Sequence, residues 1–476
     1  MDTYKLYLNG EWIDTGSHRV VADPGSGEEI ARVATGDRDL ARRSLEAAKR
    51  ALPGWRALTG IKRGDFLLAV ADGLRRRAEE IARDITRENG KPLGQSLAEV
   101  HATVDHFRWF AEEARRAYGR VVPHQVDGKR HLVLRQPIGV VAAISPWNFP
   151  LLLAARKIAP AMAAGCTVVL KPASQTPVCA IKLAECMHEA RVPAGVFQVI
   201  CGPAAPIAAE FSENPICAKI SFTGSTEVGK KLIEASAQTV TKLSLELGGH
   251  APVLIFADAD FEQAVEGAII TKFRNTGQSC IAANRIYVER SIYDRFLERF
   301  VERARELKVG HGLEAGVDVG AMVNQQALDD AIAHVRDAVA AGARLLCGGE
   351  AVPGSAGFFL QPTVLADVPD GAVCMREETF APVAPVVPFD TEEEALAMAN
   401  NSRYGLAAYA FTSNFTRAFR VMEGLEAGTV CINDAVPATS NCPFGGMKES
   451  GIGRELGIEG MDEYLETKHV SIAGIG

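Results

Sequence analysis

The chain has 476 residues, of which 47% are hydrophobic and 23% charged, so it is long enough for roughly two to four domains with well-filled cores. Its formal net charge of −8 argues against nucleic acid as a partner, and no run of Lys or Arg suggests a membrane-binding patch. The N-terminus does not resemble a signal peptide, and none of the ten cysteines forms a CxxC pair. We therefore expect a cytoplasmic protein with reduced thiols and no metal site.

The first part of the chain, to about Gly119, is predicted to be mostly helical. Charged and apolar residues follow helical spacing over 38–50 and 63–89, and a Gly-Lys-Pro sequence ends the second segment. The stretch 138–155 carries no charge, but Pro146 and Pro150 interrupt it, so it cannot be one apolar helix. It is predicted to form a buried strand, a turn and the start of a helix.

From about Val133, short β-rich runs alternate with helical segments. Strands are predicted over 140–144, 167–170, 196–200, 218–222 and 242–247, and the first helices over 150–164 and 177–190. A second series begins with a strand over 253–256, a helix over 261–273 and a strand over 285–288. Such alternation predicts parallel sheets covered on both faces, hence two α/β domains with a boundary near Gly248-Gly249 and a smaller third unit.

Three polar residues stand where chemistry is possible. Cys280 follows a helical pattern in a turn of small and polar residues, where a thiol can attack a carbonyl; most cysteines are simply buried. Glu246 lies between two leucines at a strand end, where burial would raise its pKa. Periodicity alone favours a solvent-facing Glu, but the pair Gly248-Gly249 allows close backbone approach by a ligand and favours the buried interpretation. Asn148 can donate to an oxyanion or merely cap the helix that begins near Pro150.

Two segments are candidate cofactor elements. Residues 222–229 follow a predicted strand and begin a helix, where backbone N–H groups favour binding of a pyrophosphate. The sequence is not the GxGxxG motif, so an ordinary strand-to-helix turn is an equally good interpretation. Lys171 follows another strand end, where open parallel sheets bind ligands, although a single Lys there is usually a surface charge.

Together these segments resemble the NAD(P)-dependent aldehyde dehydrogenase superfamily over essentially the whole chain. Seven motifs occur in the family's order: PWNFP at 146–150, KPASQTP at 171–177, FTGST at 222–226, LELGG at 245–249, FRNTGQSC at 273–280, EETFAP at 377–382 and PFGGMKESGIGRE at 443–455. The resemblance implies oxidation of an aldehyde to an acid through a thioester, with NAD or NADP as hydride acceptor.

The resemblance also implies residue roles. Cys280 matches the nucleophile, Glu246 the general base and Asn148 the oxyanion amide. Ala381 departs from the family, which usually has Gly there, and the added methyl lies near the nicotinamide ribose. The residues that match cofactor contacts are Ser145, Pro146, Trp147, Lys171, Ser174, Thr223, Gly224, Ser225, Val228, Gly248, Glu378 and Phe380.

The implied architecture is a Rossmann-like cofactor domain over 1–120 and 141–248, a catalytic domain over 249–432, and a small β oligomerisation arm over 121–140 and 433–476. The family's assemblies imply a homodimer or homotetramer. A non-catalytic relative on the same fold is the alternative from another class. It predicts loss of the nucleophile or the base, and both are present.

Within the superfamily the chain most resembles succinate-semialdehyde dehydrogenases. Three segments carry this resemblance: KPASQTP, the FRN that precedes TGQSC, and GKPLGQSLAEV at 90–100. Arg156 and Arg274 match the two arginines that hold the substrate carboxylate there, although each can equally form a structural salt bridge. Ala438 replaces a Ser that also contacts the carboxylate, and Ala282 replaces a second Cys that can form a redox disulfide. Glutarate semialdehyde, 2-oxoglutarate semialdehyde and a small hydroxyaldehyde therefore stay open as substrates.

Overall fold

The computed structural model describes residues 1–474, and its strands and helices alternate through most of that length. The strands are β1 (Asp2–Tyr4), β2 (Leu6–Leu8), β3 (Glu11–Ile13), β4 (His18–Ala22), β5 (Glu29–Ala34), β6 (Arg120–Val122), β7 (Lys129–Pro137), β8 (Val140–Ile144), β9 (Thr167–Lys171), β10 (Phe197–Val199), β11 (Cys217–Thr223), β12 (Lys242–Glu246), β13 (Ala251–Ile255), β14 (Ala283–Glu289), β15 (Arg344–Cys347), β16 (Thr363–Ala366), β17 (Val383–Phe389), β18 (Tyr404–Gly405), β19 (Ala407–Phe411), β20 (Thr429–Ile432), β21 (Met447–Lys448), β22 (Gly451–Ile452) and β23 (Leu465–Ala473). The helices are α1 (Arg38–Arg56), α2 (Gly60–Arg76), α3 (Ala78–Asn89), α4 (Leu93–Glu113), α5 (Leu152–Ala164), α6 (Val178–Glu189), α7 (Ala204–Glu213), α8 (Thr226–Ser236), α9 (Phe261–Phe273), α10 (Tyr293–Glu306), α11 (Gln325–Ala340), α12 (Glu392–Asn400), α13 (Phe415–Gly424) and α14 (Gly457–Asp462).

Two large sheets organise the molecule. The first has eight strands in the order β22-β12-β11-β8-β9-β10-β2-β3, and its five central strands are parallel. The second has seven strands in the order β15-β16-β17-β14-β13-β19-β20, parallel except for the edge strand β15. The predicted class, two α/β units built on parallel sheets, is confirmed. The residue limits assigned to the domains stay a prediction.

The central strands are buried on both faces because helices cover each sheet. Strands β8, β9 and β13 consist almost entirely of buried apolar residues, which is the pattern of parallel strands rather than the alternation of a half-exposed sheet. Helix α5 is buried along its whole length. The uncharged stretch 138–155 therefore forms strand β8, a turn and the start of α5, as predicted. Within residues 1–474, no helix combines the length and apolar character needed to cross a membrane, and the cytoplasmic location stays a prediction.

The prediction for the first part of the chain is wrong in two places. Residues 2–34 form five short strands, two of which extend the first large sheet, so the N-terminus is not helical. Three of these strands have only three residues, and burial does not alternate along the two longer ones, so no strand pattern stands out from the sequence. The segment 63–89 is divided between two helices at Arg77, because the backbone of this residue, with φ of −103° and ψ of 15°, lies outside the α-helical region. The stop at Gly90 is confirmed: its φ of 93° is left-handed, which glycine adopts without strain.

A three-stranded sheet in the order β23-β7-β6 forms a separate arm. Strand β23 pairs with β7 in antiparallel register over nine residues, from Leu465 opposite Pro137 to Ala473 opposite Lys129. Val121 and Leu134 are exposed on this arm. The arm thus presents apolar surface and a free strand edge to its surroundings.

Candidate active site

The site lies where the carboxyl edge of the first sheet meets the amino edge of the second. Strands β8, β11 and β12 are parallel neighbours, and they end at Ile144, Thr223 and Glu246 respectively. From the other side, Cys280 precedes β14, and the segment 378–380 precedes β17. Ligands of open parallel sheets bind beyond the carboxyl ends of the strands, which is the edge found here.

Cys280 lies between two cavities and lines both of them. One, of about 220 Å³, is the cofactor-side cavity, lined by Pro146, Trp147, Asn148, Thr223, Gly224, Ser225, Leu247, Gly248, Cys280, Glu378 and Phe380. The other, of about 60 Å³, is the narrow cavity; its wall is mostly apolar and includes Phe149, Arg156, Arg274, Tyr409, Ala438 and Phe444. A thiol in this place can react with a molecule in one cavity while a second molecule occupies the other.

A turn of unusual backbone geometry presents the thiol. Asn275, Thr276 and Gly277 all have positive φ, between 51° and 69°. At Gly277 a Cβ would lie 2.2 Å from the carbonyl oxygen of Ala381, so only glycine fits. Such strain persists only where surrounding contacts fix it, and it is commonly found at functional sites.

The Cys280 thiol is protonated in the cofactor-free protein at neutral pH. Burial, together with the carboxyl groups of Glu378 and Glu246, raises the pKa of Cys280 to about 12, and Arg156 opposes the shift. Seven other cysteines within residues 1–474 are buried and line neither cavity, whereas Cys280 is partly accessible. Position, rather than acidity at rest, distinguishes Cys280 from them.

Two N–H donors near the thiol are free to bind an oxyanion. Asn148 donates from Nδ2 to the carbonyl oxygen of Gln278 over 3.1 Å, which leaves its second amide hydrogen available. It does not cap helix α5, because the capping acceptor there is the Glu99 carboxylate, which accepts from the N–H groups of Leu151 and Leu152. Within residues 1–474 the Cys280 N–H donates to no acceptor.

Glu246 is buried at the end of β12, and it lines neither cavity. Its Oε2 has no hydrogen-bond partner in residues 1–474, and Oε1 faces Gly445. Burial and the neighbouring Glu455 raise its pKa well above the ordinary value, whereas Lys157 opposes the shift. The alternative of a solvent-facing strand residue is therefore wrong.

Sequence reasoning missed two members of this buried polar group. Lys157 donates to Thr223 Oγ1 over 2.6 Å and forms an ion pair with Glu455, and both partners of the pair are buried. Glu455 was quoted only as the last residue of a motif. One feature of the sequence could have indicated this group: Lys157 follows Arg156 in a helix that is otherwise apolar. Because buried charges need partners, an acidic residue was to be expected nearby.

The predicted cofactor residues fall into two groups. Most of them line the cofactor-side cavity, and Trp147 and Phe380 meet there edge to face with ring centroids 5.5 Å apart. Four do not line this cavity: Ser145, Lys171, Ser174 and Val228. They lie at or just beyond the ends of β8 and β9 and in the first turn of α8, and the Ser145 N–H donates to the Lys171 carbonyl over 3.2 Å.

The cofactor-side cavity suits a dinucleotide. Ser225 Oγ accepts from the Val228 N–H at the start of α8, which leaves the hydroxyl hydrogen and the helix N-terminus for a phosphate. Glu378 accepts from the Gly249 N–H through Oε1 at 3.2 Å, and its Oε2 lies beside the Gly248 backbone. A carboxylate there suits ribose hydroxyl groups. At Gly249, the group that comes close to the glycine is the carbonyl of Cys280. The close approach predicted for the glycine pair is therefore made here by the protein's own backbone and not by a ligand.

The two predicted substrate arginines lie on the wall of the narrow cavity. The Arg274 side chain makes no hydrogen bond or ion pair with the rest of residues 1–474, and its guanidinium lies 6.0 Å from the Phe149 ring centre. Arg156 lies 4.6 Å from the Phe444 ring centre and 4.0 Å from Glu455, and its Nε has no partner in the described chain. Ala438 lines the same cavity and offers no hydrogen bond there.

A cysteine that divides a cavity beside a helix N-terminus from a narrow, mostly apolar cavity fits a class of protein: the nicotinamide-dependent oxidoreductases. The chain belongs to the aldehyde dehydrogenase family, as the sequence predicted, and the family's sequence profile matches residues 12–470. It is therefore an NAD(P)-dependent enzyme that oxidises aldehydes.

Individual proteins support the same assignment. The chain is 46% identical to the NADP(+) succinate-semialdehyde dehydrogenase of Escherichia coli K12, over 98% of this chain and 97% of that protein. It is 45% identical to the glutarate-semialdehyde dehydrogenase of Pseudomonas putida, over 98% of each chain. A crystal structure of an E. coli NADP dependent enzyme superimposes with a TM-score of 0.98 at 45% identity, covering 99% of this chain and 98% of that one.

Proposed function

We propose that the enzyme oxidises a short aldehyde that carries a carboxylate, with succinate semialdehyde as the first choice. The observation that carries the proposal is Arg274, a guanidinium without a protein partner on the wall of the cavity that holds Cys280. A partly buried guanidinium that forms no ion pair with the protein favours an anionic ligand. Succinate-semialdehyde and glutarate-semialdehyde dehydrogenases among the relatives support the same class of substrate.

The size of the narrow cavity favours a short chain. At about 60 Å³ it holds roughly four to six water-sized groups, taking 10–15 Å³ for each. The apolar wall formed by Phe149, Tyr409 and Phe444 would contact methylene groups, and Arg274 and Arg156 would bind the far carboxylate. Glutarate semialdehyde, 2-oxoglutarate semialdehyde and small hydroxyaldehydes are the competing substrates.

The proposed reaction begins at Cys280. Its Sγ gives its proton to water in the cofactor-side cavity and adds to the aldehyde carbon, and the free Asn148 amide hydrogen and the Cys280 N–H stabilise the resulting alkoxide. The bound cofactor, NAD or NADP, supplies the hydride acceptor. A thioester on Cys280 remains, and Glu246 accepts a proton from the water that hydrolyses it. For this step the Glu246 side chain turns from its place beside Gly445 toward Cys280.

The cofactor residues have proposed roles that follow from their positions. Glu378 holds ribose hydroxyl groups, the start of α8 at Ser225 holds the pyrophosphate, and Phe380 and Trp147 flank the nicotinamide. Lys171 and Ser174, which lie outside the cofactor-side cavity, would contact the adenosine ribose. Ala381 is buried behind this segment, and its carbonyl meets Gly277.

We also infer that the chain assembles as a homodimer or homotetramer through the β23-β7-β6 arm. The exposed apolar residues Val121 and Leu134 and the free edge of the arm support this inference, because such features are normally covered. Sedimentation of wild-type protein and of Val121→Lys tests it, since the added charge should weaken the assembly.

Substitution of Arg274 tests the proposed substrate. Arg274→Ala should lower kcat/KM for succinate semialdehyde by about ten- to a hundredfold, because each charged hydrogen bond contributes about 1.5–3 kcal/mol. The variant should barely change kcat/KM for butanal, which has no carboxylate. Equal use of both aldehydes by the wild type, or an equal loss for both in the variant, would contradict an acidic substrate and favour a neutral or hydroxylated one.

A further inference from the structure

Two residues of the segment 90–99, which the proposed reaction leaves unused, form a fully buried ion pair. Lys91 on the turn before α4 donates from Nζ to Glu99 Oε2 over 2.7 Å, and both side chains are almost completely inaccessible to solvent. Burying two charges is costly unless their remaining hydrogen-bonding atoms are also used. The other contacts of the pair therefore indicate what it holds in place.

Those contacts all reach the turn that carries Asn148. Lys91 Nζ donates to the Asn148 carbonyl oxygen over 2.6 Å and lies 4.0 Å from the Phe149 ring centre. Glu99 Oε1 accepts from the N–H groups of Leu151 and Leu152 over 3.0 and 3.2 Å. One residue of the pair thus fixes the backbone at Asn148, and the other caps the helix that follows it.

The same segment also reaches the turn that presents Cys280. Gln95 accepts from the N–H of Asn275 over 2.7 Å. Asn275 donates from Nδ2 to the carbonyl oxygens of Asn148, at 2.9 Å, and of Gln278, at 3.0 Å. Asn148 in turn donates to Gln278. These bonds close a ring in which the positions of the amide and of the nucleophile turn depend on each other.

We propose that Lys91 and Glu99 are positioning residues that act through Asn148, holding its amide at the distance from Cys280 that oxyanion binding requires. This inference rests on the proposed role of Asn148. Loss of the Lys91 bond frees the Asn148 backbone, and the ring of bonds passes that freedom to the 275–278 turn. Displacement of a reacting group by about 1 Å can cost about a hundredfold in rate.

The clean variant is Lys91→Met combined with Glu99→Gln. It removes both charges of the pair, so neither partner stays buried as an unpaired ion, and it keeps an oxygen that accepts from Leu151 and Leu152. The Glu99 charge also stabilises the Arg274 guanidinium, so kcat is measured with butanal, which has no carboxylate for Arg274 to bind. We expect kcat to fall about ten- to a hundredfold while KM for the cofactor and the thermal midpoint change little. The matched control is Lys219→Met with Glu463→Gln, a second pair with a buried lysine, joined over 3.0 Å, that lines neither cavity; its kcat should stay at the wild-type value.

A double-mutant cycle with Asn148→Ala separates positioning from a general structural role. Asn148→Ala alone should lower kcat by about 10²–10³-fold. If the pair acts through the Asn148 amide, adding Lys91→Met/Glu99→Gln to that variant should cost less than about threefold more. A full further loss in the Asn148→Ala background, or an equal loss in the Lys219/Glu463 control, would overturn the positioning role. Wild-type kcat in Asn148→Ala alone would instead remove the proposed role of Asn148, and this inference with it.

Discussion

The Asn148 side chain donates one of its two amide hydrogens to the carbonyl oxygen of Gln278, over 3.1 Å, two residues before Cys280. This bond joins the end of strand β8 in the first sheet to the turn before β14 in the second. It fixes the direction of the remaining amide hydrogen without consuming it. An electrostatic contribution to catalysis depends on donors that are oriented before the charge develops.

Replacement of the proposed nucleophile should abolish turnover. Cys280→Ser should lower kcat by on the order of 10³ or more, because a hydroxyl is a far weaker nucleophile than a thiolate at neutral pH. Cofactor binding and the thermal midpoint should be largely unchanged. The control is Cys442→Ser, which alters an exposed thiol outside both cavities and should keep full activity. Near wild-type turnover in Cys280→Ser would refute the assignment.

Glu246→Gln should impair thioester hydrolysis more than hydride transfer. Steady-state kcat should fall about 10²–10⁴-fold, while a stopped-flow burst of reduced cofactor persists. Because burial and Glu455 raise the pKa of Glu246, its carboxyl is protonated at low pH, and the hydrolysis rate should increase as pH rises. The variant should lose that pH dependence. Equal slowing of the burst and of the steady state would show that Glu246 is not specific to hydrolysis.

NADP should be accepted as well as NAD. Ser174 is uncharged, half-buried and without a hydrogen bond in residues 1–474, so its hydroxyl is free to donate to a 2′-phosphate. Lys171 donates one hydrogen bond from Nζ to the Pro172 carbonyl and adds positive charge near Ser174. Ser174→Glu should lower kcat/KM for NADP by about tenfold or more while sparing NAD, and Ser174→Ala is the matched control. The absence of NADP activity in the wild type would contradict the role of Ser174.

Cofactor binding should release protons near neutral pH. Burial raises the pKa of Glu378 to about 8, so its carboxyl is mostly protonated at pH 7 in the free protein. Ribose hydroxyl groups that donate to the carboxylate would lower this pKa, and up to about 0.9 proton per site should be released at pH 7. Affinity should therefore increase up to about pH 8 and then level off. Calorimetry in buffers of different ionisation enthalpy measures the release.

The comparison for this experiment is Glu378→Gln. The glutamine has nearly the same shape and still accepts from the Gly249 N–H, but it cannot titrate. Its cofactor affinity should be weaker and independent of pH between about 6 and 8. Proton release that persists in the variant would assign the effect to another group.

The sequence predicted much of the fold because parallel strands buried on both faces and amphipathic helices carry strong local patterns. The limits of α9 over 261–273 and of β8 over 140–144 agree with the prediction to the residue. Strands of the N-terminal region were missed because β1, β2 and β3 have only three residues each, which do not establish a period, and because burial does not alternate along β4 and β5. The boundary at Arg77 was missed because both helices keep the same spacing of apolar residues across it.

The sequence by itself determined the family and predicted the candidate reactive groups, since motifs such as FRNTGQSC and LELGG are local and their order is fixed along the chain. Only the tertiary structure decided which partners those groups meet. Glu246 and Glu455 are 209 positions apart in the numbering, yet their charges interact because strand β22 pairs with β12. Lys91 contacts Asn148, and Arg274 stays unpaired, for the same reason: the free energy of a buried charge depends on neighbours that folding brings from distant segments.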